Sequence, residues 1–269
     1  MAATVVTRHH QSPHIVTVTL EVESSFRSLD IPDEYVRLIL GTEEPVVRVY
    51  TVSDYRIVNG HIVIDVDIVV HEHGLASAWA KNCLPGDRVR IMEPGAMYAA
   101  PADARHHVLI SDITGLPALA RIARDLKPDQ SADVAVVLTD DADQVQLPSV
   151  ADVRVEWITA SDLPQVPSTL IQAVHSRAHE QAPAGTYLWF AGEASASRQT
   201  RKYLRRELGW SQREFSTCGY WQLDAERKAG VYQRHAEQIQ AQARRARGRA
   251  RDDAAYHDAL EDIYESFGI

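Results

Sequence analysis

The stretch HIVIDVDIVVHEHGLASAWA, residues 61–80, changes its grammar half-way along. From His61 to Val70 apolar residues alternate with others, and Asp65 and Asp67 fall on one face, as in a strand with one side on a core. At Gly74 the alternation stops, and Ala76 to Asn82 reads as a short helix. A strand entering a helix through glycine leaves main-chain N–H groups at the helix N-terminus, a natural phosphate site. Ser77 stands there as a cap or a phosphate partner, and His71 adds a donor. His71 and His73 also share a strand face, but no third ligand has matching spacing, so no metal is expected.

The flanking sequence extends the strand pattern. Ile15–Leu20, Tyr35–Leu40, Arg48–Ser53 and Arg88–Ile91 read as strands separated by Gly, Pro and Asp turns. Short strands with such turns imply an antiparallel β-barrel, interrupted here by one helical insert. Within RVYTVSDYR (48–56), Arg48 and Tyr50 share one face and Thr51 lies on the other. An aromatic face, a hydroxyl and a forked cation suit a ligand with a flat ring and an anionic end. They equally suit an ordinary Arg–Tyr pair on a surface strand.

After the aperiodic segment GAMYAAPADARHH (95–107), strands and helices alternate. His107–Ile110, Ala132–Leu138, Arg154–Ile158 and Tyr187–Ala191 read as strands; Leu116–Leu126, Ser168–Ala182 and Ala194–Leu208 read as helices. Continuous apolar strands alternating with helices imply a parallel sheet covered on both faces. Residues 224–269 read as polar helix, ending in an amphipathic stretch, Tyr256, Leu260, Ile263, Tyr264 and Phe267, expected to pack on the body. The expected division is a β-barrel at 1–104, an α/β domain at 105–223 and a helical tail at 224–269.

Composition narrows the function. The 269 residues carry 45% hydrophobic side chains and a net charge of −9, which argues against a nucleic-acid or anionic-membrane binder. The block RRARGRAR (244–251) is followed at once by Asp252 and Asp253, and reads as a solvated helix face. Cys83 and Cys218 fit no metal or redox spacing and read as inert thiols in a reducing cytoplasm. The first residues lack the apolar run of a signal peptide, and no segment approaches the ~20 apolar residues of a membrane span. A soluble cytoplasmic protein is expected.

The motifs occur in one order. R-x-Y-T at Arg48–Thr51 is followed by D-x-D-x-V-x-H-x-x-G-x-A-S-x-W at Asp65–Trp79 and by Pro85-Gly86-Asp87-Arg88. Then come Asp112-Ile113-Thr114-Gly115-Leu116-Pro117-Ala118, Asp140-Asp141-Ala142-Asp143 with Leu147-Pro148, Trp189-Phe190-Ala191-Gly192-Glu193-Ala194-Ser195 with Arg198, and Gly219-Tyr220-Trp221. Over nearly the whole chain this order resembles the siderophore-interacting protein family of FAD-dependent ferric-siderophore reductases.

The resemblance implies an antiparallel FAD-binding barrel followed by an NAD(P)-binding α/β domain. It assigns FAD to Arg48, Tyr50, Thr51, Ser53, Asp67, Val69, His71, Ala76, Ser77, Thr114 and Trp221. It assigns NADPH or NADH to Asp112, Gly192, Glu193, Ser195 and Arg198. It implies a ferric siderophore as substrate, with ferredoxin as an alternative donor and a monomer or weak oligomer. No further catalytic residue is implied, because the redox chemistry belongs to the flavin. Asp112 and Thr114 lie where a strand ends and a helix begins, the usual ligand edge of an open α/β sheet. No G-x-G-x-x-G is present. Arg198, Arg201 and Lys202 suit a 2′-phosphate or a solvated helix face. Tyr220 and Trp221 suit a flavin flank or core packing.

Three positions depart from the family pattern. Ser53 replaces a second Arg after R-x-Y-T, Leu75 replaces Pro after Gly74, and Ile113 replaces an acidic residue after Asp112. Loss of the cation weakens pyrophosphate binding, since charge-assisted hydrogen bonds are about twice as strong as neutral ones. Two alternatives therefore stay open: a non-catalytic binder of siderophore or nucleotide, and a flavin reductase with an acceptor other than iron.

Overall fold

A computed structural model describes residues 1–41, 45–72, 74–179 and 182–269. Six antiparallel strands close into a barrel: β1 Ala2–Ser12, β2 Ile15–Val22, β3 Tyr35–Leu40, β4 Val46–Val58, β5 His61–Val69 and β6 Arg88–Ile91. Their order is β1-β2-β5-β4-β3-β6, and closure comes where β1 meets β6 at Ala3 and Val89. Alternation fills the interior. Val16, Val18 and Leu20, then Val36 and Leu38, then Ile64, Val66 and Ile68 are all fully buried. On the opposite face Thr17, Asp67, Thr51 and Tyr35 stand side by side across four strands. The insert between β5 and β6 is helix α1, Leu75–Asn82.

Strand β1 was not among those expected from the sequence. Register shifts between Val5 and Thr7 and between His10 and Ser12 break its alternation, and its outer face is polar. Strand β4 also runs five residues beyond Ser53, to Val58.

The second half is a parallel sheet of β7 His106–Asp112, β8 Ser131–Leu138, β9 Asp152–Thr159, β10 Thr186–Glu193 and β11 Phe215–Trp221, in the order β11-β10-β7-β8-β9. Helix α2, Leu116–Asp125, packs Leu116, Leu119 and Ile122 on one face, against Leu109, Val134 and Trp189. Helices α3, Val166–His175, and α4, Ala194–Lys202, cover the other face, where Leu170, Val174 and Ala196 meet Val108, Ile110 and Phe190. Alternate residues of each continuous apolar strand thus serve two separate cores.

The helix expected at 168–182 ends at His175, and Glu180 and Gln181 lie outside the described residues. The one expected at 194–208 leaves α-geometry after Lys202 and finishes as a π-helical segment, Tyr203–Glu207. Strand β11 was not anticipated either. It is an edge strand with Phe215 as its one buried residue, so it lacks a continuous apolar signature.

Two helices close the chain, α5 Ala225–Arg249 and α6 Asp253–Ser266. The tail packs on the body, and charged as well as apolar side chains hold it there. Tyr256, Leu260, Ile263, Tyr264 and Phe267 are only half-buried, and ion pairs hold α6 against α4 and the segment after it. Arg201 Nε reaches Asp258 at 3.1 Å, Arg205 Nε reaches Asp258 at 3.2 Å, Arg206 reaches Asp262 at 2.9 Å and Lys202 reaches Glu265 at 3.3 Å. The basic block is largely solvated as read, with Arg247 paired to Asp253 at 2.6 Å. Among the described residues, no helix is long and apolar enough to cross a membrane.

Candidate cofactor and nucleotide site

Thr51 on the barrel and Asp112 on the sheet meet the consecutive residues Tyr220 and Trp221 at the junction of the two halves. On the barrel side, Thr51 of β4 is buried and pairs across the strands with Asp67 and Tyr35. Asp67 accepts the Thr17 hydroxyl at 2.7 Å, and burial raises its carboxyl above the ordinary range. The Tyr220 phenol, from β11, stands beside the Thr51 side chain, and burial pushes it well above its usual value. The Ser53 hydroxyl donates to the Asp65 main-chain oxygen at 3.3 Å. Val69 is half-buried against the cluster that joins the two halves.

Arg48 and Tyr50 sit side by side, as the alternation predicts, on the face opposite Thr51. They pair with Leu38 and Val36, whose side chains fill the barrel. Tyr50 rests half-buried on that core, and burial pushes its phenol up to about 12, with Arg48 pulling the other way. Arg48 is exposed and donates to the Val47 carbonyl at 3.0 Å.

The start of α1 is uncapped by any side chain, and its first helical bond is Ala78 N–H to Gly74 O at 3.0 Å. The N–H groups of the first turn, including Ala76, therefore have no intrahelical acceptor. Gly74 has φ +120°, and a Cβ there would come within 2.9 Å of the His71 ring. Ser77 is buried and its hydroxyl accepts the His71 N–H at 3.2 Å, which leaves its own proton for another acceptor. Amides without an intrahelical acceptor, a buried serine hydroxyl and a cradle closed to any Cβ fit the phosphate end of a dinucleotide. His73 lies outside the described residues.

The sheet side is built at the carboxyl ends of β7 and β10. Asp112 is buried. Its Oδ1 accepts the Thr114 N–H at 2.8 Å and hydroxyl at 2.5 Å, and its Oδ2 accepts Trp221 Nε1 at 2.7 Å. Burial raises its pKa against the pull of those bonds. A Cβ on Gly192 would approach Asp112 Oδ2 to 2.8 Å, so only glycine lets β10 pass this close.

Glu193 is fully buried and acts as the N-cap of α4, accepting Ser195 N–H at 2.6 Å, Ala196 N–H at 3.1 Å and the Ser195 hydroxyl. Its other oxygen takes the Leu223 N–H at 3.0 Å. Arg198 donates to the main-chain oxygen of Ile269 at 2.8 Å, and Arg201 and Lys202 are engaged by α6. These cations line the seat of the C-terminal helix.

Sequence reading missed the buried polar groups at the junction. Asp33 accepts the Met97 N–H at 3.0 Å and Trp189 Nε1 at 3.3 Å. Glu34 and Arg121 meet there at 3.5 Å. Asp143 takes the Ser12 hydroxyl at 2.6 Å and the His14 N–H and Nδ1 at 2.9 and 2.7 Å. With Asp140 this forms a histidine–carboxylate group, and the partners of Asp143 make it a tie between the two halves. A cation among the apolar positions of LPALARIARD was the one legible signal for any of them. Cys83 is buried and Cys218 half-buried, and burial pushes the Cys218 thiol up to about 11, so it stays protonated.

Two family models match in tandem. The siderophore-interacting FAD-binding domain matches residues 40–98, and the siderophore-interacting protein model matches residues 104–224. The chain belongs to the siderophore-interacting protein family. An uncharacterised protein of Mycobacterium tuberculosis is 28% identical to this member over 256 residues, covering 81% of this chain and 88% of the relative. The NADPH-dependent ferric-chelate reductase of Escherichia coli is 30% identical over 163 residues, covering 58% of this chain and 59% of the relative. The siderophore-interacting protein SipS of Aeromonas hydrophila shares the fold, with a TM-score of 0.73 at 23% identity, over 88% of this chain and 97% of that one. At family level the molecule is an FAD-dependent oxidoreductase related to ferric-chelate reductases.

Proposed function

We propose that this family member passes electrons from NADPH or NADH, through FAD, to the Fe(III) of a ferric siderophore in the cytoplasm, so that the iron is released. In this reading residues 1–104 hold FAD, 105–223 hold the nicotinamide dinucleotide and 224–269 form the tail. Thr51, Tyr50 and Trp221 address the flavin ring, and the amides around Ala76, with Ser77 and Arg48, address the pyrophosphate. Asp112, Thr114 and Gly192 form the nucleotide edge. Bound FAD supplies hydride acceptance and single-electron donation. The chain's own part is to hold the two cofactors in register and to exclude water from the junction.

One observation carries the reading. Tyr220 and Trp221 are consecutive, yet the first stands beside Thr51 on the barrel and the second bonds Asp112 on the sheet. A single strand end thus brings the two patches within one residue of each other, as transfer between two cofactors requires.

The test is spectroscopic. The purified protein is mixed with FAD, desalted and scanned for flavin bands; NADH or NADPH is then added without oxygen, followed by a ferric siderophore and an Fe(II)-specific chelator. Retained bands that bleach with the nucleotide and recover as Fe(II) appears support the proposal. The absence of retained bands moves the assignment to a non-catalytic binder, and bleaching without Fe(II) moves it to another acceptor.

A further inference from the structure

Helix α2 sends one buried cation into the barrel. Arg121 is 5% exposed. Its Nη1 donates to the Val52 main-chain oxygen at 2.9 Å and lies 3.5 Å from Oε2 of the fully buried Glu34. Glu34 is itself fixed, taking the Ser28 hydroxyl at 2.6 Å and the Leu29 N–H at 3.1 Å. Its main-chain oxygen accepts the Val52 N–H at 2.8 Å. Both main-chain polar groups of Val52 are therefore held by this pair.

Val52 is a singular place in β4. It lies just past the end of the β3–β4 ladder: its N–H bonds Glu34, but the Glu34 N–H turns away to the Ile31 oxygen at 2.9 Å, so the Val52 carbonyl lacks its strand donor. Arg121 supplies it. Val52 also separates Thr51 from Ser53. One turn further along α2, Arg124 approaches the Ser53 carbonyl at 3.4 Å. The other end of α2 begins at the Asp112–Gly115 loop, about 8 Å from Arg121 at ~1.5 Å rise per residue. One rigid helix thus starts at the nucleotide edge and grips the strand assigned to flavin.

Adhesion alone does not explain such a pair. Burying two charges carries a desolvation cost that an apolar contact avoids, and its best-attested use is to fix one arrangement among several. We propose that Arg121 is a positioning residue for electron transfer: it clamps the Val52 carbonyl, and with it Thr51, at a fixed offset from the nucleotide edge. The inference rests on the flavin-reductase reading above.

The test uses the full chain loaded with FAD. Arg121→Met with Glu34→Gln removes the pair without leaving a buried charge, and Arg121→Lys keeps the charge but not the fork. The double variant is expected to fold and retain FAD. Its limiting rate of flavin reduction should fall about tenfold to a hundredfold, the scale of a displacement near 1 Å. Half-saturation by the nucleotide should stay within about twofold. Without FAD, hydrogen exchange should quicken over residues 50–54 and not elsewhere in the barrel. Arg121→Lys should recover part of the rate. A wild-type limiting rate in the folded double variant overturns the inference while the reductase reading stands, and so does a loss that follows FAD affinity alone. If the wild-type chain takes up no FAD, both fall. If the double variant does not fold, Arg121→Lys is read by the same assays, and a wild-type rate with wild-type exchange overturns the inference.

Discussion

The Trp221 indole donates to Asp112 Oδ2 at 2.7 Å and joins the end of β11 to the end of β7. Burial is the largest influence on Asp112 and raises its pKa above the unfolded value near 3.8. The folded state then binds the proton more tightly than the unfolded one, so stability falls as pH rises from about that value up to the folded pKa. Asp112→Asn is expected to flatten this slope, as read by urea unfolding between pH 4 and pH 8. Trp221→Phe leaves a buried acceptor unpaired and should cost about 1–3 kcal/mol at neutral pH. An unaltered slope in Asp112→Asn would show that Asp112 does not set it.

Thr51 and Tyr220 provide a second test across the same junction. Thr51→Val and Tyr220→Phe each remove one hydroxyl from this junction, a change on the order of 0.5–1.5 kcal/mol that leaves the fold intact. If β4 meets the flavin ring, Thr51→Val should shift the flavin absorption bands or weaken FAD retention. Tyr50→Ala should release FAD or shift its bands while far-ultraviolet circular dichroism is preserved. Unchanged spectrum and affinity in both Thr51→Val and Tyr50→Ala would remove β4 from the flavin site.

Docking of α6 should depend on salt and pH. Its outer ion pairs are exposed; Arg206 and Asp262 are 40% and 50% exposed, a class worth about 0–1 kcal/mol per pair, while the Arg201 and Arg205 pairs with Asp258 are largely buried. Near 1 M salt the screening length is about 3 Å, so the outer pairs, Arg206–Asp262 and Lys202–Glu265, weaken first. Protease should then cut the segment around α6 first and leave the barrel and sheet intact. Glu261 adds a pH term, because burial raises it to about 7 from an ordinary 4.5. A raised acid disfavours the folded form as pH climbs through that window, so α6 is better protected at pH 5 than at pH 8. Glu261→Gln should reduce the difference.

Asp143 fixes the β1–β2 turn to the sheet. Asp143→Ala leaves the Ser12 hydroxyl, the His14 N–H and the His14 ring without their acceptor. The expected loss is about 3 kcal/mol, since a buried orphaned donor costs about 1–3 kcal/mol. Equilibrium urea unfolding measures it. A loss under about 0.5 kcal/mol, the size of an ordinary surface change, would show the tie to be peripheral.

Much of the molecule is legible because its signals are local. The strand 61–69 alternates, and β8 is a continuous apolar run; each period reflects how many faces of the strand are buried. Gly74 and Gly192 mark two of the close approaches of backbone to side chain. The strands β1 and β11 were not legible. Register shifts break the alternation of one, and half-buried residues at a sheet edge blur the other.

The sequence alone determined the barrel-then-sheet order, the family motifs and the residue types at each patch, because periodicity and short motifs are properties of neighbours along the chain. The tertiary structure decided what those residues touch. It turned Glu193 into a helix cap, set Arg198, Arg201 and Lys202 under α6, and clamped Val52 between Arg121 and Glu34. These pairings join residues up to 71 positions apart. Their partners are chosen by desolvation and geometry once both halves have folded, and no period along the chain encodes that choice.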